Sequence, residues 1–349
     1  MNTKYHNKGH TGLVNLGNTC FLNSCMQVLN HTYELNAFLD SDKYTRHLNA
    51  DLSDSKILAE WNDLRNVMWS GNGVVTPTKF VHNIQQIAAI KKRDIFTGYV
   101  QNDMPEFLLF FLDCMHNSIS RGVNMKISGN AVNRVDEMAV KSYNMLKAIY
   151  SKEYSEIMEM FYGIFVSEII SKETNVTQSM KPESYFMLDL PVVYNDQIAL
   201  TLYGCFDFFT MPEILEGENA WFNEKTGKKE DIKKQISFWN FPNVLVITLK
   251  RFTLDGMHKI NERIDFPLTD LDLSPYVRGY NSQSFKYDLY GVCNHVGGVT
   301  GGHYTAFVRN IENQWLHFND QNVDVIENVQ SVISPMAYCL FYRKKNNSL

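Results

Sequence analysis

Cys20 and His303 are the residues of this 349-residue chain whose surroundings best suit covalent catalysis. Cys20 stands in the segment Gly12-Leu13-Val14-Asn15-Leu16-Gly17-Asn18-Thr19-Cys20-Phe21-Leu22-Asn23-Ser24. A thiol at neutral pH is a weak nucleophile unless a helix N-terminus or a nearby imidazolium favours its thiolate. Asn18 and Thr19 are good N-cap residues, and Phe21, Leu22, Cys25, Met26, Val28 and Leu29 recur behind them at helical spacing. The pattern predicts Cys20 in the first helical turn, facing free backbone N–H groups and the positive end of the dipole. Gly12 and Gly17 let the chain turn tightly before it, and Asn15 is a side-chain amide close enough to steady a developing oxyanion. For a lone cysteine a buried structural thiol is the plainer reading; the partners downstream weigh against it.

The base comes from the C-terminal third. Tyr287 to His295 alternates as a half-buried strand does, and Val296-Gly297-Gly298-Val299-Thr300-Gly301-Gly302 reads as a mobile glycine loop. His303-Tyr304-Thr305-Ala306-Phe307-Val308-Arg309 follows as a strand. A histidine where a strand leaves a glycine loop is within reach of substrate, which suits general acid–base work. Further on, Trp315-Leu316-His317-Phe318 ends in Asn319-Asp320, and an amide or carboxylate there can hold the imidazole in one tautomer. His295 reads as structural and His317 as a partly buried packing residue.

These segments resemble the Cys and His boxes of the ubiquitin-specific protease family, papain-like enzymes that remove ubiquitin from proteins. Phe21 stands where that family usually has Tyr, and Met26-Gln27 is similar to its Leu-Gln. The resemblance implies that Cys20 is the nucleophile, Asn15 the oxyanion donor and His303 the base. It places the orienter at Asn319, directly after Phe318, with Asp320 as the alternative. Gln101-Asn102-Asp103-Met104-Pro105-Glu106-Phe107 is similar to the family's Gln-x-Asp-x-x-Glu-Phe box. Two readings of it stand together. Asp103 and Glu106 have the spacing of a capping box, with Pro105 tolerable only in a first turn. The resemblance implies that Gln101, Asp103 and Glu106 bind substrate, the acidic pair meeting the arginines of ubiquitin's tail, as carboxylates at a cleft wall do well. Tyr304 is expected either as a wall of the narrow channel for the tail's two glycines or as ordinary strand packing.

The fold implied is α+β, a papain-like cysteine protease in a thumb–palm–fingers arrangement, with a helical N-terminal part and antiparallel sheets in the C-terminal two-thirds. The resemblance covers residues 9–344 as a single catalytic domain. About 9–120 would form the helical thumb, about 161–250 the fingers and part of the palm, and about 251–344 the palm with the His box; 1–8 and 345–349 are expected as flexible termini. Trp61 to Trp69 and the stretch after Thr76-Pro77-Thr78 read as helices. Residues 117–160 read as a polar connection and then a helix around Val140 to Ile149. Phe161 to Val166, Tyr185 to Leu190, Pro242 to Phe252 and Ala337 to Arg343 read as strands. Gly256 to Asn261 is expected as a loop over the cleft.

Composition narrows the partners. With 44% hydrophobic and 20% charged residues the chain has ordinary globular usage, and a net charge of −5 offers no basic footprint for nucleic acid. No apolar run has membrane length, so neither secretion nor a membrane span is expected. The six cysteines are dispersed without framework spacing, which suits free thiols in a reducing, cytoplasmic compartment, with the nucleus also open to the protein. Many members of the family hold a structural zinc with two Cys-x-x-Cys pairs; here those pairs would fall near Ser171 and Thr174 and near Asn223 and Thr226, none of them Cys. No metal and no cofactor are therefore expected, and the partners are ubiquitin and ubiquitinated proteins, met by a monomer. Two alternatives to a thiol-dependent deubiquitinase remain: a catalytically silent ubiquitin-binding module, and a protease for another ubiquitin-like modifier.

Overall fold

The structure is a computed structural model that describes residues 3–253, 255–299 and 301–345. Its N-terminal part is helical. Helix α1 (Cys20–Asn30) is buried at every residue, because neighbours surround it on all sides. Around it lie α2 (Tyr33–Asp40), α3 (Asp54–Ser70), α4 (Thr78–Ile90) and α5 (Met104–Ile119). Aromatic edges lock these together: Trp61 of α3 and Phe80 of α4 both meet Phe111 of α5, with ring centroids 5.8 and 6.0 Å away, and Phe107 reaches Phe21 of α1 at 5.4 Å. Two short strands, β1 (Gly12–Leu13) and β2 (Val74–Val75), pair in parallel beside the loop that leads into α1. No helix among the described residues is long and apolar enough to cross a membrane.

The connection after α5 is more helical than its composition predicts. Helix α6 spans Arg134–Glu153 and α7 spans Glu156–Phe161. Each starts at a side chain that accepts a backbone N–H, Asn133 from Asp136 and Ser155 from Met158. Those two caps were legible signals, and they put Phe161 in a helix rather than a strand. Strand β3 (Gly163–Ser171) pairs with β4 (Thr177–Tyr185), after which β5 (Met187–Pro191), the ribbon β6 (Val193–Tyr194) and β7 (Gln197–Ile198), and helix α8 (Leu202–Thr210) follow. Then come β8 (Glu213–Leu215), the small hairpin β9 (Trp221–Asn223) and β10 (Lys228–Glu230), and β11 (Ile232–Asn240). Strands β4-β3-β11-β8 form one antiparallel sheet, and α6 covers a face of it by packing Met138 and Ala139 on Ile164, Val166, Met180 and Trp239.

The remaining strands build the sheet that carries the base: β12 (Val244–Lys250), β13 (Leu271–Asp272), β14 (Lys286–Gly298), β15 (Gly301–Arg309), β16 (Trp315–Asn319), β17 (Asn322–Val325) and β18 (Ala337–Lys344). The order is β17-β16-β15-β14-β18-β12-β5, with β13 on β14. Its pairs are antiparallel except β12 with β5, the one parallel pair in an otherwise antiparallel sheet. Val244 to Ile247 are fully buried, as their continuous apolar run predicts.

Two expectations are corrected here. The glycine loop is a hairpin: Gly297 pairs with Gly302 and Gly298 with Gly301, leaving Val299 and Thr300 between the strands, and Thr300 lies outside the described residues. Of the termini expected to be flexible, residues 1, 2 and 346–349 lie outside the described residues, while the rest is docked. The Tyr5 hydroxyl donates to Asp40 (2.8 Å), the Asn7 N–H donates to Glu312 (2.6 Å) and the Lys345 N–H donates to the Lys286 carbonyl (2.8 Å).

Candidate active site

Cys20 is the first residue of α1, as its spacing predicts, but neither Asn18 nor Thr19 caps the helix with its side chain. The Thr19 hydroxyl faces back into the loop, accepting from the Leu16 N–H at 2.9 Å. Asn18 adopts a left-handed backbone, φ 57°, and donates Nδ2 to the Tyr99 carbonyl at 2.8 Å. Gly17 needs its glycine for a φ of 100°; Gly12 needs its own because the backbone of Gln321 passes where a Cβ would stand. Cys20 is only 4% exposed, and burial pushes its thiol pKa up from the ordinary value. The backbone N–H of Tyr304 pulls it down, the charge of Asp320 pushes it up again, and the N–H groups of Phe21 and Cys20 pull the other way. Burial thus outweighs the N–H groups gathered at the helix start. A base must take the proton during attack.

That base is held as a strand-borne imidazole. His303 Nε2 donates to Asn319 Oδ1 at 2.7 Å, which fixes the ring's orientation and leaves Nδ1 on the other side of the ring. Asp320, the alternative orienter, is elsewhere occupied. Its two carboxylate oxygens accept from Asn15 Nδ2 (3.0 Å) and Asn23 Nδ2 (2.8 Å), and its carbonyl accepts the Leu13 N–H (2.9 Å). A left-handed backbone at Asp320, φ 50°, turns it away from the imidazole and toward the nucleophile loop. Asn15 is fixed from both ends, since its Oδ1 accepts from the N–H groups of Gly17 (3.0 Å) and Thr19 (3.1 Å). Among the described residues, one amide N–H of Asn15 has no partner.

Between α5 and the palm sheet lies a cavity of about 280 Å³, lined by Asp103, Phe252, His295, Tyr304 and Tyr338 among others. Asp103 heads α5, yet its carboxylate does not cap the helix. It accepts instead from Tyr304 Oη at 2.9 Å, with the Tyr338 hydroxyl close enough to lower its pKa, and the Tyr304 oxygen in turn receives the Met104 N–H at 3.5 Å. Burial raises the Asp103 pKa, the two tyrosine hydroxyls lower it, and Glu106 and Asp189 raise it. Glu106 is exposed on the same helix turn. Gln101 spends its side-chain amide on Gly302 of β15, and Tyr304 both packs in the core and walls the cavity.

Two contributors carried no readable signal, and a third was overlooked. Tyr338 arrives from a strand whose sequence announced only packing. Lys259, on the loop expected over the cleft, donates Nζ to His295 Nδ1 (3.0 Å) and to the His295 carbonyl (2.6 Å). Burial and that ammonium push the His295 pKa down to about 4, so it is a neutral acceptor. Asn23 lies in the Cys segment and could have been singled out there as a polar residue on a buried helix. His317 does pack, against Phe307 with centroids 5.0 Å apart.

The hairpin tips where zinc ligands would stand are closed by hydrogen bonds. Ser171 Oγ accepts the Thr174 N–H at 3.2 Å, and Glu230 accepts from Asn223 Nδ2 (3.0 Å) and the Thr226 hydroxyl (2.7 Å). Among the described residues no three His, Cys, Asp or Glu side chains converge as metal ligands.

Known proteins are similar to this chain. The sequence model of the family described as ubiquitin carboxyl-terminal hydrolase matches residues 11–342. The chain is 34% identical over 351 residues to ubiquitin carboxyl-terminal hydrolase 2 of Homo sapiens, covering 98% of this chain and 56% of that protein. To the protein of the same name from Gallus gallus it is 34% identical over 346 residues, 96% of this chain and 93% of that one. The chain thus spans just over half the length of the mammalian relatives it matches. Among solved structures, a chain of the SAGA DUB module of Ubp8, Sgf11, Sus1 and Sgf73 bound to monoubiquitin shares the fold, with a TM-score of 0.75 at 24% identity, over 98% of this chain and 70% of that one.

Proposed function

The chain belongs to the ubiquitin carboxyl-terminal hydrolase family, and on that premise we propose that it is a thiol-dependent deubiquitinase that cleaves the isopeptide or peptide bond after ubiquitin's C-terminal glycine. The observation that carries the reading is the meeting of Cys20, at the head of α1, with the strand that presents His303 on Asn319. His303 Nδ1 takes the thiol proton as sulfur attacks the glycine carbonyl. The oxyanion is met by the free N–H of Asn15 and the backbone N–H of Cys20. The C–N bond breaks as His303 returns the proton to the departing lysine amine, leaving a thioester. Water then adds to the thioester with His303 again as base, releasing ubiquitin's carboxylate and restoring the thiol. Asp103 on the cleft wall, with Glu106 exposed on the same helix turn, suits a basic tail, and Tyr304 narrows the channel to residues as small as glycine. The same reading extends to a monomer working in the cytoplasm and nucleus.

A ubiquitin derivative carrying a C-terminal electrophile tests it. One equivalent is expected on Cys20, with ubiquitinated substrates hydrolysed by the wild type and untouched by Cys20→Ala. Labelling without turnover would identify a silent binding module. Labelling only by a probe built on another ubiquitin-like modifier would move the substrate and keep the chemistry.

A further inference from the structure

Among the described residues, the strand that carries His303 has an edge with no neighbouring strand just where the two catalytic segments meet. One edge of β15 is paired with β14 from Val308 to Gly301. The other is covered by β16 only from Ala306, opposite Phe318, to Arg309. Residues two apart on a strand present their N–H and C=O to the same edge, so Gly302 and Tyr304 continue the uncovered one. Groups from elsewhere take their place. The Tyr304 N–H lies close enough to the Cys20 thiol to lower its pKa. At Gly302 a single side chain satisfies both backbone groups: the Gly302 N–H donates to Gln101 Oε1 at 2.7 Å, and Gln101 Nε2 donates to the Gly302 carbonyl at 2.9 Å. A primary amide used this way reproduces the donor and acceptor of a peptide group, as the next strand would. The fit excludes side chains, since a Cβ on Gly301 would collide with Gln101 Oε1 and one on Gly302 with the Val296 carbonyl and the His295 ring.

The segment bearing Gln101 is also anchored on the nucleophile side. Asn18 Nδ2 donates to the Tyr99 carbonyl at 2.8 Å, and Gln85 of α4 donates Nε2 to the Gly98 carbonyl at 3.2 Å. Residues 98–101 therefore form a strap that is bonded to the Cys20 loop at one end and, next to His303, to β15 at the other.

We propose that Gln101 is a positioning residue: its amide replaces the missing neighbour of β15 at Gly302 and, through the strap, sets His303 relative to Cys20. This deepens the reading of Cys20 and His303 as nucleophile and base, and it departs from a role for Gln101 in gripping the substrate tail. Gln101 is exposed, so its two bonds matter for registry more than for the stability of the fold.

The test uses the full chain and two readouts, one of which needs no ubiquitin: the pH profile of Cys20 alkylation by iodoacetamide, and kcat and KM on a fluorogenic ubiquitin amide. Gln101→Ala is expected to shift the alkylation profile and lower kcat on the order of tenfold, with KM changed less than about twofold, since small misplacements of reacting groups cost rate rather than binding. Gln101→Glu, which puts a carboxylate against the Gly302 carbonyl, should do the same. Asn18→Gly keeps the left-handed backbone while cutting the other anchor, and should move the alkylation profile in the same direction by less. If Gln101→Ala raises KM while kcat and the alkylation profile stay as in the wild type, Gln101 is a tail contact and the proposal falls. Should the wild type fail to hydrolyse the ubiquitin amide, the substrate reading falls instead, and the alkylation profiles still decide the role of Gln101.

Discussion

The cleft and the tips of the finger strands are both closed by polar side chains, but over very different distances in the chain. At the tips the bonds are local: Ser171 serves Thr174, and Thr226 and Asn223 serve Glu230. In the cleft they are almost all long-range: Asp320 holds Asn15 and Asn23, Asn18 holds Tyr99, Gln101 holds Gly302 and Tyr304 holds Asp103. A local turn forms wherever its own few residues fold. A long-range pair exists only if two packed layers arrive in register. The cleft is therefore the part of the molecule that a single side chain can disorganise without unfolding anything.

The sharpest way to break this contrast is at the base. His303→Ala is expected to reduce turnover of a fluorogenic ubiquitin amide on the order of 10⁴-fold or more, and Asn319→Ala by roughly 10²–10⁴-fold, with unchanged melting temperatures. Comparable losses from changes at the finger tips would erase the distinction. The next largest effect should come from Asp320, and through Asn15 rather than His303. Asp320→Asn tolerates the left-handed backbone but no longer accepts from both asparagines, and should cost about 10²–10³ in kcat, the scale of a disabled oxyanion donor. Its pH profile for Cys20 alkylation should keep its base limb, whereas Asn319→Ala should shift that limb. An Asp320 variant that shifts it instead would return Asp320 to the imidazole.

Acid should also separate the two regions. No histidine lies in residues 161–250, whereas His31, at the end of α1, is fully buried and donates Nδ1–H to the Gln27 carbonyl at 2.9 Å. Burial lowers its pKa from 6.5 to about 4, so the folded state binds this proton less readily than the unfolded one. The contribution is full above pH 6.5, shrinks as pH falls from there to about 4 and is flat below; its size is about 3 kcal/mol. Denaturant titrations across that window should show the loss, His31→Gln should remove the His31 share of it while leaving that of His295, and hydrogen exchange should place the His31-linked opening among the N-terminal helices. A loss that begins in the fingers would contradict the comparison.

Smaller effects refine it. Asp103→Asn should leave the melting temperature within a few degrees and raise KM roughly tenfold, with the deficit shrinking when the tail arginines of ubiquitin are neutralised. Equal KM values on both substrates would make Asp103 purely a partner of Tyr304 and Tyr338. Least of all, Thr226→Val should cost about 0.5–1 kcal/mol of stability and no activity. Neither it nor the wild type should respond to a zinc chelator, and one tightly bound zinc in the purified protein would show that these tips are built otherwise.

Much of this molecule was legible in the order of its residues. The buried run Val244–Leu249, the start of α1 at Cys20 and the strands around His303 follow from periodicity and short-range turn chemistry, which act within a few residues and so are written locally. The caps at Asn133 and Ser155 were written there too and went unread. What sequence left open was the choice between partners that look alike locally. Asn319 and Asp320 are adjacent, and only a left-handed turn between β16 and β17 sends one to His303 and the other to Asn15. Asp103 had the spacing of a cap, but two tyrosines from β15 and β18 drew its carboxylate inward. The protonation of Cys20 likewise depends on how deeply the palm sheet buries it, a balance of desolvation against a few N–H groups. Tertiary structure decided these because burial and the supply of distant donors are properties of the packed layers, and no short stretch of chain contains them.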